Sequence, residues 1–361
     1  MADLSKVKIV MLAPCLGKFG GIETFCLTLI EDLIRKGAVV RLLRKKVTGF
    51  QDDQTILKNE CEIRSSWTEE EGMRFTSQWV TSRDTEIKNA IQDCDLAHLH
   101  NPMVEGIWYA KKFSKPCVMT IYNWRRRGIH PRLWAWNWAV NKADRRWYIS
   151  EFVWDSWERK RRKNSARLPV VSRMPVDDTL PKQRKGFLFI GRWVPNKGIR
   201  ILLEAYKQVS ANPDTWPLVM LGDGPLRKEV LATIEKKGIQ GVKLPGFVSE
   251  SERHRFTREA KWMVTPPHAK EDLGLTPLEA RSVGVPCIAT NDGGIKETAG
   301  AHALFCKPGD INALAECLKT AMQMDDEQYE ERSRLAKEDL EQYVRTLDEY
   351  ADEYQKLLNQ E

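Results

Sequence analysis

Short apolar runs alternate with stretches of helical period along most of this chain. VKIVMLAP (7–14) is a continuous apolar run, as a buried strand requires. CLGKFGG follows as a loop, and IETFCLTLIEDLIRKG then carries apolar residues at helical spacing up to Gly37. AVVRLL reads as the next strand. Strand, glycine loop, helix and strand in that order predict a parallel α/β sheet. DLAHLHNP (95–102) and PCVMTIYN (116–123) read as later strands, each ending in polar residues. RRWYISEFVWDSWERKRRKN divides into part strand and part helix. Residues 164–185 hold three prolines and few apolar clusters, and the end of that stretch reads as a linker.

The alternation restarts at 187 with FLFIGRW. A helix (199–210), the strand PLVMLG (217–222) and the helix RKEVLATIEKKG come next. Then follow strand-like VKLPGFV, helix SERHRFTREA, strand WMVTP, the segment EDLGLTPLEA on a helix, and strand VPCIAT (285–290). The pattern predicts an α/β protein of two Rossmann-like, doubly wound domains facing a central cleft. The expected boundaries are 1–170 for the first domain, 171–185 for the linker and 186–340 for the second. Residues 341–361 form a final helix, whose DEYADEY segment is expected to reach back to the first domain. In such sheets the carboxyl ends of the strands line the ligand crevice.

Composition narrows the class. The chain has 361 residues, 42% hydrophobic and 30% charged, which suits a globular protein. Eight cysteines are scattered without a C-x-x-C pair, so free thiols in a reducing cytoplasm are expected. MADLSKVKIVMLAPC lacks the long apolar core of a secretory signal, and no apolar run approaches the ~18 residues of a membrane span. The net charge of +7 is uneven: residues 1–180 carry 31 Lys/Arg against 22 Asp/Glu, and the rest carry 26 against 28. An anionic partner is therefore expected on the first half.

Several strand ends carry candidate chemistry. EDLGLTPLEA sets Glu271 and Glu279 around Gly274. Helix capping accounts for part of it: Thr276 as N-cap, Pro277 at the first position and Glu279 at the third make an S/T-x-x-E box. That leaves Glu271 and Gly274 unexplained. GRWVPNKG places Arg192 and Lys197 between a strand and a helix, where two cations suit a diphosphate; ordinary loop charges are the plainer reading. No Walker A loop is present, and CLGKFGGIE is no G-x-G-x-x-G fingerprint. Gly20-Gly21 before a helix still allow backbone to approach an anion or sugar, though a plain turn serves as well. Backbone near Val248 in LPGFVS could read a base edge, and TNDGGIKE puts Gly293-Gly294 at a further strand end.

As an ordered set these pieces resemble the retaining GT-B glycosyltransferases of family 4. The resemblance is dense over 186–300 (FLFIGRWVPNKGIRILLEA, LVMLGDGPLRKEV, VKLPGFVSE, EDLGLTPLEARSVGVPCIATNDGGIKE). It is looser over 1–180, where GGIETFCLTL, DLAHLHNP and YISEFV fit. It implies catalytic roles for Arg192, Lys197 and Glu271: the two cations neutralise the nucleotide diphosphate and Glu271 contacts sugar hydroxyls. Glu279 would hold the ribose, and backbone at Gly274, Leu275 and Thr276 would lie near the phosphates. Gly20-Gly21 would close on the donor, and Val248 would face the base. No metal is implied, and no D-x-D pair stands where one would be expected. The nucleotide-sugar is a co-substrate, so no cofactor is implied either. One departure stands out: relatives carry histidine where this chain has Tyr122, followed by Asn123. His98 and His100 stand nearby; a structural role in the core or at the strand end is the plainer reading of either, and His100 is the one kept, beside Tyr122 and Asn123, as a possible sugar or acceptor contact.

Residues 124–163 hold seven tryptophans and twelve Lys/Arg against four acids. Buried tryptophans with a solvated basic rim would explain this. So would peripheral contact with the inner face of a membrane, as a lipid-linked acceptor would need. Nucleic acid ranks lower, because no nucleic-acid motif accompanies the segment. The implied function is transfer of a sugar from a UDP- or GDP-sugar to a glycan or lipid-linked hydroxyl. A transferase acting on nucleic acid or a small molecule stays open, as does a catalytically weak nucleotide-sugar-binding scaffold subunit.

Overall fold

A computed structural model describes residues 3–14, 21–46, 64–81, 84–126, 128–169 and 183–359. The chain divides into two compact units, Met1–Arg173 with Val344–Glu361, and Met174–Tyr343. Residues 171–182, most of the expected linker, lie outside the described residues.

In chain order the first unit opens with β1 (Lys8–Pro14), α1 (Gly21–Arg35), β2 (Val39–Lys45), α2 (Glu69–Met73), β3 (Phe75–Val80) and α3 (Thr85–Asp93). It continues with β4 (Leu96–His100), α4 (Val104–Lys112), β5 (Cys117–Ile121), α5 (Pro131–Lys142), β6 (Arg145–Tyr148), α6 (Glu151–Trp157) and β7 (Ser165–Arg167). The second unit begins with β8 (Lys185–Ile190), a 3-10 turn (Pro195–Lys197), α7 (Ile199–Val209), β9 (Leu218–Leu221), α8 (Arg227–Lys237), β10 (Val242–Gly246) and α9 (Glu250–Glu259). Then come β11 (Ala260–Thr265), α10 (Leu275–Ser282), β12 (Cys287–Thr290), α11 (Ile295–Ala299), β13 (Leu304–Cys306), α12 (Ile311–Gln323) and α13 (Asp326–Tyr343). The last helix, α14 (Leu347–Leu358), belongs to the first unit.

Each unit is built on one parallel sheet. The strand orders are β3-β2-β1-β4-β5-β6-β7 and β10-β9-β8-β11-β12-β13. Both are the doubly wound order, running outward from the first strand and reversing after the third. The reversal leaves a crevice at the carboxyl ends of β1 and β4 in one sheet, and of β8 and β11 in the other. Continuous apolar strands suit this arrangement because helices cover both faces: β4 and β5 are buried at every position.

The first unit holds an unusual buried polar layer. His98 Nε2 lies 2.8 Å from Thr120 Oγ1, and its Nδ1 lies 2.6 Å from the Tyr354 hydroxyl of α14. Tyr350 of the same helix donates to the carbonyls of Leu168 and Pro169 at 3.1 and 2.8 Å. Lys36, in the turn just after α1, pairs with Asp348 at 2.9 Å. The tail is thus fixed by directed bonds as well as by apolar burial. The His98 and His100 rings lie 4.1 Å apart, tilted by 32°, and both are wholly buried. Burial, then the neighbouring His100, pushes His98 well below its usual value, and burial pushes His100 down to about 3. A histidine depressed in the fold contributes stability that is complete above the unfolded value near 6.5 and declines as pH falls towards the folded value. Each is expected to cost about 1.4 kcal/mol per pH unit in that window. Hydrogen exchange of the β4 and β5 amides should therefore show the first unit weakening between about pH 6.5 and 5. Equal protection at both pH values would refute this.

Candidate active site

The second unit brings two of the sequence-selected residues, Lys197 and Glu271, together at its sheet reversal. Lys197 closes the turn after β8, and Glu271 lies on the loop after β11. Those two strands are neighbours, so their loops meet across the crevice. Lys197 Nζ stands 2.7 Å from Glu271 Oε1 and 2.8 Å from Oε2. Arg192 is exposed just beyond β8, with Trp193 buried beside it.

The EDLG and NDGG loops are one structure. Gly294 N–H donates to the Glu271 carbonyl at 2.8 Å. A Cβ on Gly293 would come within 2.6 Å of that same carbonyl oxygen, and one on Gly294 within 2.3 Å of the Asp272 carbonyl. Any other residue there would push the loops apart and move Glu271 off Lys197.

The capping box expected at Thr276 does not form. Helix α10 begins at Leu275, and its N-cap is Gly274 at φ 96°, ψ 110°, with no side-chain cap bond. Thr276 already lies inside the helix, two residues past the N-cap position. A Cβ on Gly274 would approach Ile295 Cδ1 to 2.3 Å, so glycine is needed for both dihedral and space. The amides at Leu275 and Thr276 therefore open the helix without a side-chain acceptor, and such an end favours anions.

Glu279 is consequently free of a capping role. It is buried, and its Oε2 accepts from Arg253 Nη1 at 2.6 Å. Arg253 lies on α9, four residues after the Ser249 N-cap and close behind Val248, which is half-buried. Sequence reasoning missed Arg253; the available signal was the cationic cluster in SERHRFTREA just after the LPGFV strand end. From behind, the wholly buried Arg281 anchors α10 by donating to the Thr298 carbonyl at 2.7 Å, the Ala336 carbonyl at 3.1 Å and Asp339 at 2.7 Å.

In the first unit the expected contacts fall in different surroundings. His100 is wholly buried, with Nδ1 2.7 Å from the Tyr122 hydroxyl and 3.3 Å from Cys26 Sγ. Tyr122 is buried too, and burial raises its pKa well above the usual 10. Their polar atoms thus satisfy each other within the core. Asn123 is exposed, and its carbonyl accepts from Trp157 Nε1 at 2.8 Å. Gly21 opens α1, and Gly20 lies outside the described residues. Among the described residues no group of three or more His, Cys, Asp or Glu is placed to hold a metal ion.

Residues 19–174 match the family described as Glycosyltransferase Family 4, and residues 173–340 match Glycosyl transferases group 1. The chain belongs to this glycosyltransferase family. An uncharacterized glycosyltransferase of Methanocaldococcus jannaschii is 26% identical over 243 residues, 63% of this chain and 66% of that one. The 2-deoxystreptamine N-acetyl-D-glucosaminyltransferase of Niallia circulans is 29% identical over 37% of this chain and 35% of its own. O-antigen chain mannosyltransferase C of Escherichia coli is 27% identical over 48% and 47%. The matches thus span from about a third to just under two thirds of these relatives' lengths. Among solved structures, HepE of Anabaena in complex with UDP-glucose superposes with a TM-score of 0.74 at 17% identity, covering 97% of this chain and 99% of that one. A glycosyltransferase from Rickettsia africae gives 0.76 at 14% identity, covering 98% of each. At these identities the likeness is one of fold, the GT-B arrangement of two parallel α/β sheets.

Proposed function

We propose that the chain is a retaining glycosyltransferase that moves a sugar from a UDP- or GDP-sugar to a hydroxyl of a glycan or lipid-linked acceptor, without a metal. The observation that carries this reading is the Lys197–Glu271 pair across the β8–β11 reversal, beside the side-chain-free start of α10. Breaking a sugar–phosphate bond leaves charge on the diphosphate. Arg192, Lys197 and the amides at Gly274, Leu275 and Thr276 stabilise that charge most as it develops. Glu271 accepts from sugar hydroxyls, Glu279 from the ribose, and backbone near Val248 meets the base.

The displacement is front-face. The acceptor oxygen bonds the anomeric carbon on the side the diphosphate leaves, its proton passes to a leaving phosphate oxygen, and configuration is kept. The related mannosyl- and N-acetylglucosaminyl-transferases and the UDP-glucose complex of HepE support a nucleotide-sugar donor. A lipid-linked acceptor would bring with it peripheral contact between residues 124–163 and the inner face of a membrane.

The test is turnover of a panel of UDP- and GDP-sugars in EDTA, with product configuration read by NMR. Transfer or slow hydrolysis with retention, reduced about 100-fold or more in Glu271→Ala, is the expected result. No turnover of any donor, with donor binding intact, would favour a scaffold subunit instead.

A further inference from the structure

The tryptophans of 124–163 separate into two populations. Trp147 and Trp154 are buried, and Trp124 packs against Phe152. Trp134 and Trp138 behave differently. They lie four residues apart on α5, hence on one stripe of that helix, and are 67% and 38% exposed. Ala139 and Val140, on the opposite side, are the residues α5 buries. Ile129, just before the helix, is 89% exposed. The solvent face of α5 is therefore its aromatic face, the reverse of an ordinary surface helix. Helix α4 packs alongside, and its outer side adds Trp108, half exposed, with Lys112 Nζ 5.0 Å from the ring centre.

Charge identifies the occupant. Residues 124–142 contain five Arg/Lys and no Asp or Glu. Lys111 is neutralised by Asp144 at 2.5 Å. Arg125, Arg126, Arg132 and Lys142 have no carboxylate partner among the described residues. A protein interface would bury these rings and pair these cations. An anionic bilayer surface accepts both, with indole rings at the headgroup level and cations against lipid phosphates. The exposed aliphatic Ile129 has no use in stacking on bases, which makes nucleic acid the poorer fit.

We infer that the outer face of α4 and α5, led by Ile129, Trp134 and Trp138, is a docking surface for an anionic lipid bilayer. The inference takes its purpose from the transferase reading, since a surface-bound enzyme meets a lipid-linked acceptor in two dimensions. Its physics is independent of that reading.

The test is flotation of the whole chain with vesicles of phosphatidylcholine alone and with about 30% phosphatidylglycerol, beside calorimetry of UDP and GDP binding. Wild type should float only with the anionic vesicles. Binding should fall about tenfold or more in Trp134→Ser/Trp138→Ser, and likewise in about 0.5 M salt, where screening is short-ranged. Nucleotide binding in that variant should match wild type. Failure of wild type to float, or flotation unchanged in the variant, would overturn the inference. So would a dimer that the double substitution dissolves, or tighter binding to a short DNA duplex. Flotation without nucleotide binding would remove the transferase reading and leave the surface standing; the converse would do the opposite.

Discussion

Lys197→Ala is expected to lower kcat/KM for sugar transfer by roughly 10²- to 10³-fold. The ammonium lies at the reversal of the second sheet, held on both oxygens of Glu271. Holding it there in advance spares the reorganisation that a mobile cation would need when the diphosphate takes up charge. The loss should fall mainly on kcat, because the charge is greatest in the transition state. A merely structural ion pair predicts something else. Removing one partner would then reduce stability, and Lys197→Ala/Glu271→Ala would restore both stability and turnover. Steady-state kinetics beside thermal unfolding of the single and double variants separates the two. Unchanged turnover in Lys197→Ala would remove the lysine from the mechanism.

The second large effect concerns stability. Glu158 is buried and accepts from Arg146 Nε at 3.1 Å, Tyr148 Oη at 3.0 Å, Trp154 Nε1 at 2.9 Å and Ser165 Oγ at 2.8 Å. Arg146, equally buried, also donates to the Ala143 carbonyl at 2.9 Å and to Asn164. Glu158→Ala leaves that guanidinium without a counter-charge and is expected to cost about 3–5 kcal/mol. For a unit of this size the unfolding midpoint should drop by roughly 10 °C. Replacing both partners with apolar residues, as in Arg146→Met/Glu158→Leu, should recover much of the loss. The pH dependence has a definite sign. Burial raises the Glu158 pKa, but bonds from Trp154, Ser165 and Tyr148 and the Arg146 charge outweigh it, so the net shift is downward. Its contribution is complete above the unfolded value near 4.3 and disappears as pH falls through the folded one. That window lies below the range in which His98 and His100 begin to weaken the unit. A single-variant loss under about 1 kcal/mol would show that the network is not a cohesive element.

The central strands were legible because their apolar runs are unbroken: KIVMLAP, LAHLH, CVMTI, FLFI and CIAT all appear as strands. Three of the four edge strands were not, although the fourth, VKLPG in β10, was. FTSQWV, SAR and LFC form β3, β7 and β13 at or near the sheet rims, where strands are short and polar enough to read as loop. At the candidate site, residue identity was legible and local geometry only partly so. The S/T-x-x-E pattern at Thr276 is genuine, but Gly274 can adopt a left-handed φ that starts the helix earlier. Glu279 then turns to Arg253, a partner 26 residues away that no local pattern could supply. A structural role was already the plainer reading of His100, but no local pattern paired it with Tyr122. Only the three-dimensional packing reveals that each satisfies the other inside the core. Likewise the tryptophan count could not tell Trp147 from Trp134.

Calorimetric titration of the whole chain with UDP and with GDP, in EDTA, tests the donor site most directly. The predicted result is binding of one nucleotide family, weakened at least tenfold in Arg192→Ala and in Glu279→Ala, with both variants still folded. Absence of binding to either nucleotide, or binding unaffected by both substitutions, would contradict the assignment of a nucleotide-sugar to the β8–β11 reversal.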